Sequence, residues 1–173
     1  MTQLARLIRD VPDFPKKGII FKDITPMLRD AEAFAASIEA LREHHAADRV
    51  DAVAAIESRG FVFGGALALK LGAGFIPIRK AGKLPHDTLS ETYALEYGTD
   101  TVQIHRDAVS PGDRILLLDD LLATGGTARA AVNLIRKLGG EVVGASFLVE
   151  LDFLGGRRHV EGTPVHSLIH YAS

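Results

Sequence analysis

The densest chemistry in this chain lies in Ile115-Leu116-Leu117-Leu118-Asp119-Asp120-Leu121-Leu122-Ala123-Thr124-Gly125-Gly126-Thr127. A buried-type strand ends in two adjacent carboxylates, and a short loop then delivers Thr-Gly-Gly-Thr to the start of a helical pattern. Glycines let successive backbone N–H groups curl round one anion, and a helix N-terminus adds its partial positive charge. The hydroxyls of Thr124 and Thr127 add further donors. Phosphate oxygens fit such a loop, and Asp119 and Asp120 stand beside it to accept hydrogen bonds from sugar hydroxyls. A plain strand-to-helix turn would need only the two glycines. The spacing is not that of a nucleotide-triphosphate loop, Gly-x-x-x-x-Gly-Lys-Ser/Thr, nor of a dinucleotide fingerprint, Gly-x-Gly-x-x-Gly. An acid pair after an apolar strand also suits an aspartyl-phosphate receiver, but there the Thr-Gly-Gly-Thr loop would have no role.

A second anion-directed group is cationic. Arg79, Lys80 and Lys83 fall within five residues, enough to meet a diphosphate in a chain of net charge −2. Arg59 follows a buried strand and precedes a helix, the same kind of corner as the first loop. The seven histidines offer no Zn-type His-Glu-x-x-His, and the neighbours His44 and His45 cannot face one ion together on a helix. No protein-ligated metal is expected.

These groups need a scaffold, and the hydrophobic pattern supplies one. Leu4, Leu7, Ile8 and Val11 follow helical spacing and predict a helix over 2–10, stopped by Pro12 and Pro15 before an irregular stretch. A helix over 31–45 is capped by Asp30 and carries Phe34, Ile38 and Leu41 on one face. From there strands at 50–56, 74–78, 114–118 and 142–149 alternate with helices at 61–71 and 127–138. Residues 91–105 read as an antiparallel pair turning at Gly98-Thr99. Strand–helix–strand units imply an α/β fold, a mostly parallel twisted sheet with helices on both faces.

Composition bounds what such a fold could do. The 173 residues are 47% hydrophobic and 24% charged, enough for one domain with a real core and too apolar for disorder. No apolar run approaches the ~18 residues that cross a bilayer, and the charged N-terminus is a poor signal peptide. Zero cysteines exclude disulfides, thiol nucleophiles and Cys-ligated metals, in keeping with a cytoplasmic location. Twenty basic against 22 acidic residues leave no basic stripe for nucleic acid.

The run from Asp119 to Thr127 resembles the phosphoribosyl pyrophosphate motif of type I phosphoribosyltransferases, and its doubled leucine and Ala-Thr-Gly-Gly-Thr form resembles the adenine-using branch of that family. Further matches occur in order: Phe14-Pro15 with Gly18-Ile19-Ile20-Phe21-Lys22-Asp23-Ile24, then Glu57-Ser58-Arg59-Gly60-Phe61, Arg79-Lys80-Ala81-Gly82-Lys83-Leu84-Pro85, Tyr93-Ala94-Leu95-Glu96-Tyr97-Gly98, and Val149-Glu150-Leu151. The resemblance implies that Ala123, Thr124, Gly125, Gly126 and Thr127 cradle the 5-phosphate, while Asp119 and Asp120 hold the ribose hydroxyls. It implies that Glu57, Ser58, Arg59, Gly60, Arg79, Lys80 and Lys83 meet pyrophosphate. For the base it points to the backbone of Ile20 and Lys22, the ring of Phe21, and Leu151.

The resemblance also implies a base-binding hood over about 1–30 and a lid over about 84–100 on a single domain of residues 1–173. Within that lid Glu96 would be the catalytic carboxylate, taking the proton that the base loses. Mg²⁺ would arrive on the substrate's pyrophosphate, and the chain would form a homodimer with its 79–83 segment near the partner's site. The reaction implied is adenine plus 5-phosphoribosyl 1-pyrophosphate giving AMP and pyrophosphate. Two other readings stay open from the residues alone: a phosphoribosyl-pyrophosphate-sensing regulator on the same fold, and a transferase for a 6-oxopurine or orotate.

Overall fold

The computed structural model describes residues 2–94 and 98–172. A seven-stranded sheet forms the centre, in the order β5 (Thr88–Ala94), β6 (Thr99–His105), β4 (Gly74–Lys80), β3 (Ala52–Ile56), β7 (Arg114–Leu122), β8 (Glu141–Leu151), β9 (Val165–Tyr171). The strands from β4 to β9 run parallel, and β6 and β5 close one edge as an antiparallel hairpin. Helices α3 (Ala31–His44) and α4 (Arg59–Leu71) cover one face, and α5 (Gly126–Lys137) covers the other.

Alternation along β7 divides the core. Ile115 and Leu117 pack with Ala131, Leu134 and Ile135 of α5, whereas Leu116 and Leu118 pack with Phe63 and Leu67 of α4. Because both faces are covered, β3 and β7 carry continuous apolar runs rather than a polar alternation. From β3 the chain crosses to β4 on one side and later returns as β7 on the other, with Ala55 opposite Leu118. The carboxyl ends of β3 and β7 therefore open side by side at a switch point, where ligands of such sheets bind.

The parallel sheet and its helices match the sequence expectation to within a few residues, and the Asp30 cap of α3 is made by Oδ1 accepting from Ala33 N–H at 2.9 Å. The antiparallel pair expected over 91–105 is present as β5 and β6. Two local expectations need correction. β7 does not stop at Leu118 but continues through both aspartates to Leu122.

The expected first helix ends at Ala5 (α1, Thr2–Ala5), and Arg9–Pro12 is instead a strand, β1, paired antiparallel with β2 (Ile20–Asp23). Charge explains the switch. Arg9 faces Asp23 and Asp10 faces Lys22 across the pair, so opposite charges meet at both positions. Lys22 then pins this hairpin to the sheet, its Nζ lying 2.7 Å from Asp10 Oδ1 and 4.0 Å above the centre of the Tyr171 ring. A short helix α2 (Thr25–Arg29), with Pro26 in its first turn, links the hairpin to α3.

Candidate active site

The loop after β7 begins α5 with Gly125 in the left-handed region, φ +82°, which glycine adopts at no steric cost. Residues Asp119, Ala123, Thr124, Gly125, Gly126 and Thr127 line a small cavity of about 80 Å³ at this helix N-terminus. The end of β5 overhangs it, since a side chain on Gly126 would come within 3.3 Å of the Ala94 carbonyl oxygen and the Tyr93 ring.

The two carboxylates lie in different surroundings. Asp119 Oδ1 accepts from Asp120 N–H at 2.9 Å and lies so close to α4 that a Cβ on Gly60 would sit 2.7 Å from it. Asp120 is buried, and its Oδ2 lies 2.8 Å from Arg59 Nε in an ion pair. That contact lacks hydrogen-bond alignment, so Asp120 Oδ2 is a buried acceptor without a hydrogen bond among the described residues. Burial, reinforced by the neighbouring Asp120, pushes the Asp119 carboxyl well above its ordinary value. Burial also raises Asp120, against the pull of Arg59. Of the two carboxylates it is Asp120 Oδ2 that is left open to a further donor.

Glu57, Ser58, Arg59, Lys80, Asp119, Asp120 and Thr127 line one cavity of about 360 Å³, together with Tyr93 and Asp100. The Glu57 carboxylate is engaged by cations. Its Oε2 accepts from Arg79 Nε at 3.0 Å, its Oε1 accepts from Lys80 N–H at 2.6 Å, and Lys83 Nζ stands 3.2 Å away. Burial works to raise this carboxyl, but the Lys80, Arg79 and Lys83 hydrogen bonds outweigh it and hold it below its ordinary value. Arg79 and Lys83 thus sit at Glu57 and are not among the residues lining the cavity. Lys80 Nζ pairs with Asp100 Oδ2 at 3.0 Å, which raises its pKa.

A larger, mainly apolar cavity of about 830 Å³ opens on the other side of the 123–127 loop, lined by Ile19, Ile20, Lys22, Leu151, Phe153 and Leu154 with Thr124, Gly126, Arg129 and His159. Ile20, Lys22 and Leu151 all line this cavity. Phe21 does not line it. Its ring turns edge-on to Phe14, centroids 5.1 Å apart, and lies 4.9 Å from the guanidinium carbon of Arg59. Glu96 lies outside the described residues, as do Leu95 and Tyr97.

A phosphoribosyl transferase domain model matches residues 21–166. The adenine phosphoribosyltransferase of Acidobacterium capsulatum is 57% identical over 169 residues, covering 98% of this chain and 93% of the relative. Among solved structures, that of adenine phosphoribosyltransferase from Thermoanaerobacter pseudethanolicus superposes with a TM-score of 0.96 at 54% identity, covering 98% and 99% of the two chains. This chain belongs to the adenine phosphoribosyltransferase family. A solved APRTase from Giardia lamblia, complexed with 9-deazaadenine, is 38% identical with a TM-score of 0.95 and covers 99% of this chain and 98% of its own.

Within that family frame, several residues at the site escaped the reading of the sequence. Phe153, Leu154, Arg129 and His159 line the larger cavity, and Tyr93 closes over the loop. The one signal for the first pair was the Gly155-Gly156 dipeptide, an unusual break shortly after Val149-Glu150-Leu151.

Proposed function

We propose that this chain catalyses transfer of the 5-phosphoribosyl group from 5-phosphoribosyl 1-pyrophosphate to adenine, giving AMP and pyrophosphate. The observation that supports this most directly is the meeting of two unlike cavities at the 123–127 loop. One is lined by carboxylates and cations, the other is mainly apolar. A ribose 5-phosphate held at the loop would have pyrophosphate on one side and a flat purine on the other.

In the proposed reaction the ribose C1–O bond breaks, its electron pair leaving with pyrophosphate, and a ring nitrogen of adenine forms the new C–N bond and gives up its proton. Bond breaking runs ahead of attack, through an oxocarbenium-like state. Arg59 and Lys80 stabilise the departing anion, while Arg79 and Lys83, held on Glu57 outside this cavity, add their charge near the site of the second subunit. Asp119 and Asp120 accept from the ribose hydroxyls, Oδ2 of Asp120 having the free acceptor for it. The backbone of Ile20 and Lys22 reads the base edge, since alternating C=O and N–H groups match an exocyclic amine beside a ring nitrogen. Leu151 packs on the purine, and Glu96 takes the proton. Mg²⁺ would arrive as part of the pyrophosphate substrate and would neutralise charge on the leaving group.

The proposal extends to assembly and place. Residues 1–173 act as one unit, with about 1–30 as hood and about 84–100 as a lid that excludes water. Val62, Leu69 and Phe75 stand exposed on α4 and the start of β4, an apolar face that favours a homodimer. A multiply charged sugar pyrophosphate does not cross a bilayer unaided, which favours the cytoplasm. No helix among the described residues is long and apolar enough to cross a membrane.

The direct test is to incubate the purified protein with adenine, 5-phosphoribosyl 1-pyrophosphate and Mg²⁺ and to measure AMP and pyrophosphate. Equal amounts of both support the transfer. Tight binding of phosphoribosyl pyrophosphate without turnover would instead mark a sensor on this fold.

A further inference from the structure

Between β8 and β9 the chain passes backbone to backbone against the phosphate loop. Gly156 is buried, and a Cβ there would collide with the Ala123 carbonyl oxygen and reach 3.0 Å from Gly125 N. The contact is mutual. A Cβ on Gly125 would collide with the Gly156 carbonyl and come within 3.1 Å of His159 Cβ. Backbone faces backbone, so no flexible side-chain end can swing aside. The same segment supplies Phe153, Leu154 and His159 to the wall of the 830 Å³ cavity, which also takes in Thr124 and Gly126.

We propose that Gly156 is a positioning residue for the transfer reaction. Its missing side chain lets the chain after β8 press on residues 123–125, which fixes the curl of the anion loop and, through the same contact, the wall of the base cavity. This rests on the proposed assignment of the loop to the 5-phosphate. Two backbones in contact cannot move independently, so a phosphate in the loop must also damp the wall. By linkage, adenine then binds more tightly when the loop is filled.

Hydrogen exchange of the unmodified protein with ribose 5-phosphate tests this without a variant. Slower exchange is expected at 123–127 and also at 153–156. Protection confined to 123–127 would overturn the coupling while leaving the phosphate site intact, and no protection at 123–127 would overturn both. A second test compares Gly156→Ala with Gly162→Ala. Gly162 has φ +68° and only the Arg136 guanidinium within reach of an added Cβ, at 3.7 Å, so its substitution strains a turn without touching residues 123–125. Gly156→Ala is expected to raise KM for phosphoribosyl pyrophosphate by ~10-fold or more, because small displacements of a binding loop are costly to the reaction. Gly162→Ala should lower Tm with KM unchanged. If both variants lose stability and neither shifts KM, Gly156 is merely structural.

Discussion

Arg59 Nε lies 2.8 Å from Asp120 Oδ2, so the first residue of α4 is tied to the carboxylate pair of β7. The same guanidinium sits 4.9 Å from the Phe21 ring of the N-terminal hairpin. One side chain therefore joins the carboxylate pair of β7 to the N-terminal hairpin, and it also lines the 360 Å³ cavity.

Arg59→Ala leaves Asp120 buried without its cation. Removing one partner of a buried pair is strongly destabilising, but the Arg59 side chain is 36% exposed and water screens the contact. A loss of about 1–2 kcal/mol is expected, a few degrees in Tm for a chain of this size. Protonating Asp120 at low pH removes the charge that needs a partner, so thermal unfolding should show a larger loss at pH 8 than at pH 5. Equal losses at both would contradict the pairing.

Asp119 binds its proton more tightly in the fold than in the unfolded chain. The folded state then holds more protons as pH rises from the ordinary carboxylate range toward the raised value, and stability falls across that window. Asp119→Asn removes the charge and keeps an oxygen for the Asp120 N–H. Calorimetric scans at pH 8 should show a higher Tm for the variant. Its kcat/KM for phosphoribosyl pyrophosphate should drop ~10-fold or more, since a charge-assisted hydrogen bond contributes about 1.5–3 kcal/mol. A lower Tm with full activity would contradict both halves.

His166 has the opposite sign. Burial, with His44, His45, His170 and Arg157 nearby, lowers its pKa to about 4, and its ring stacks on His44 with centroids 3.6 Å apart. The unfolded chain takes up this proton first, so the stability is complete above about 6.5 and declines as pH falls toward about 4. His166→Phe keeps a ring for the stack and removes the proton. Urea unfolding across this range should show a shallower decline for the variant; an unchanged slope would rule His166 out.

Much of this site was legible because its chemistry is local in sequence. Asp119, Thr124, Gly125 and Thr127 lie on one strand-to-helix corner, and apolar runs at β3 and β7 announce the buried strands that place two such corners side by side. What stayed hidden depends on pairing across the chain. Leu4, Leu7, Ile8 and Val11 keep helical spacing, yet Arg9 and Asp10 turn away to meet Asp23 and Lys22, and a single-strand pattern cannot register that partner. Nor can spacing reveal that Glu57 gathers Arg79 and Lys83, or that Gly156 rests on Ala123. Those contacts exist only once the sheet has formed.

The proposed proton acceptor is Glu96, two residues beyond the end of β5 in the sequence. A carboxylate that accepts the proton from the attacking nitrogen acts in the transition state, so kcat should fall and KM for adenine should hold. Steady-state kinetics of Glu96→Gln should give a kcat loss of ~100-fold or more. A kcat within threefold of wild type would remove Glu96 from the mechanism.

Competition between bases decides whether the apolar cavity beside Ile20, Lys22 and Leu151 takes adenine. The purified protein would be given phosphoribosyl pyrophosphate, Mg²⁺ and an equimolar mixture of adenine, hypoxanthine, guanine and orotate, and each nucleotide product would be quantified. A site that reads an exocyclic amine beside a ring nitrogen should reject bases whose edges leave its backbone groups unpaired by a factor of ~10⁴ or more. AMP as the dominant product is the predicted result. A mixture led by a 6-oxopurine nucleotide or by the orotate product would contradict the account.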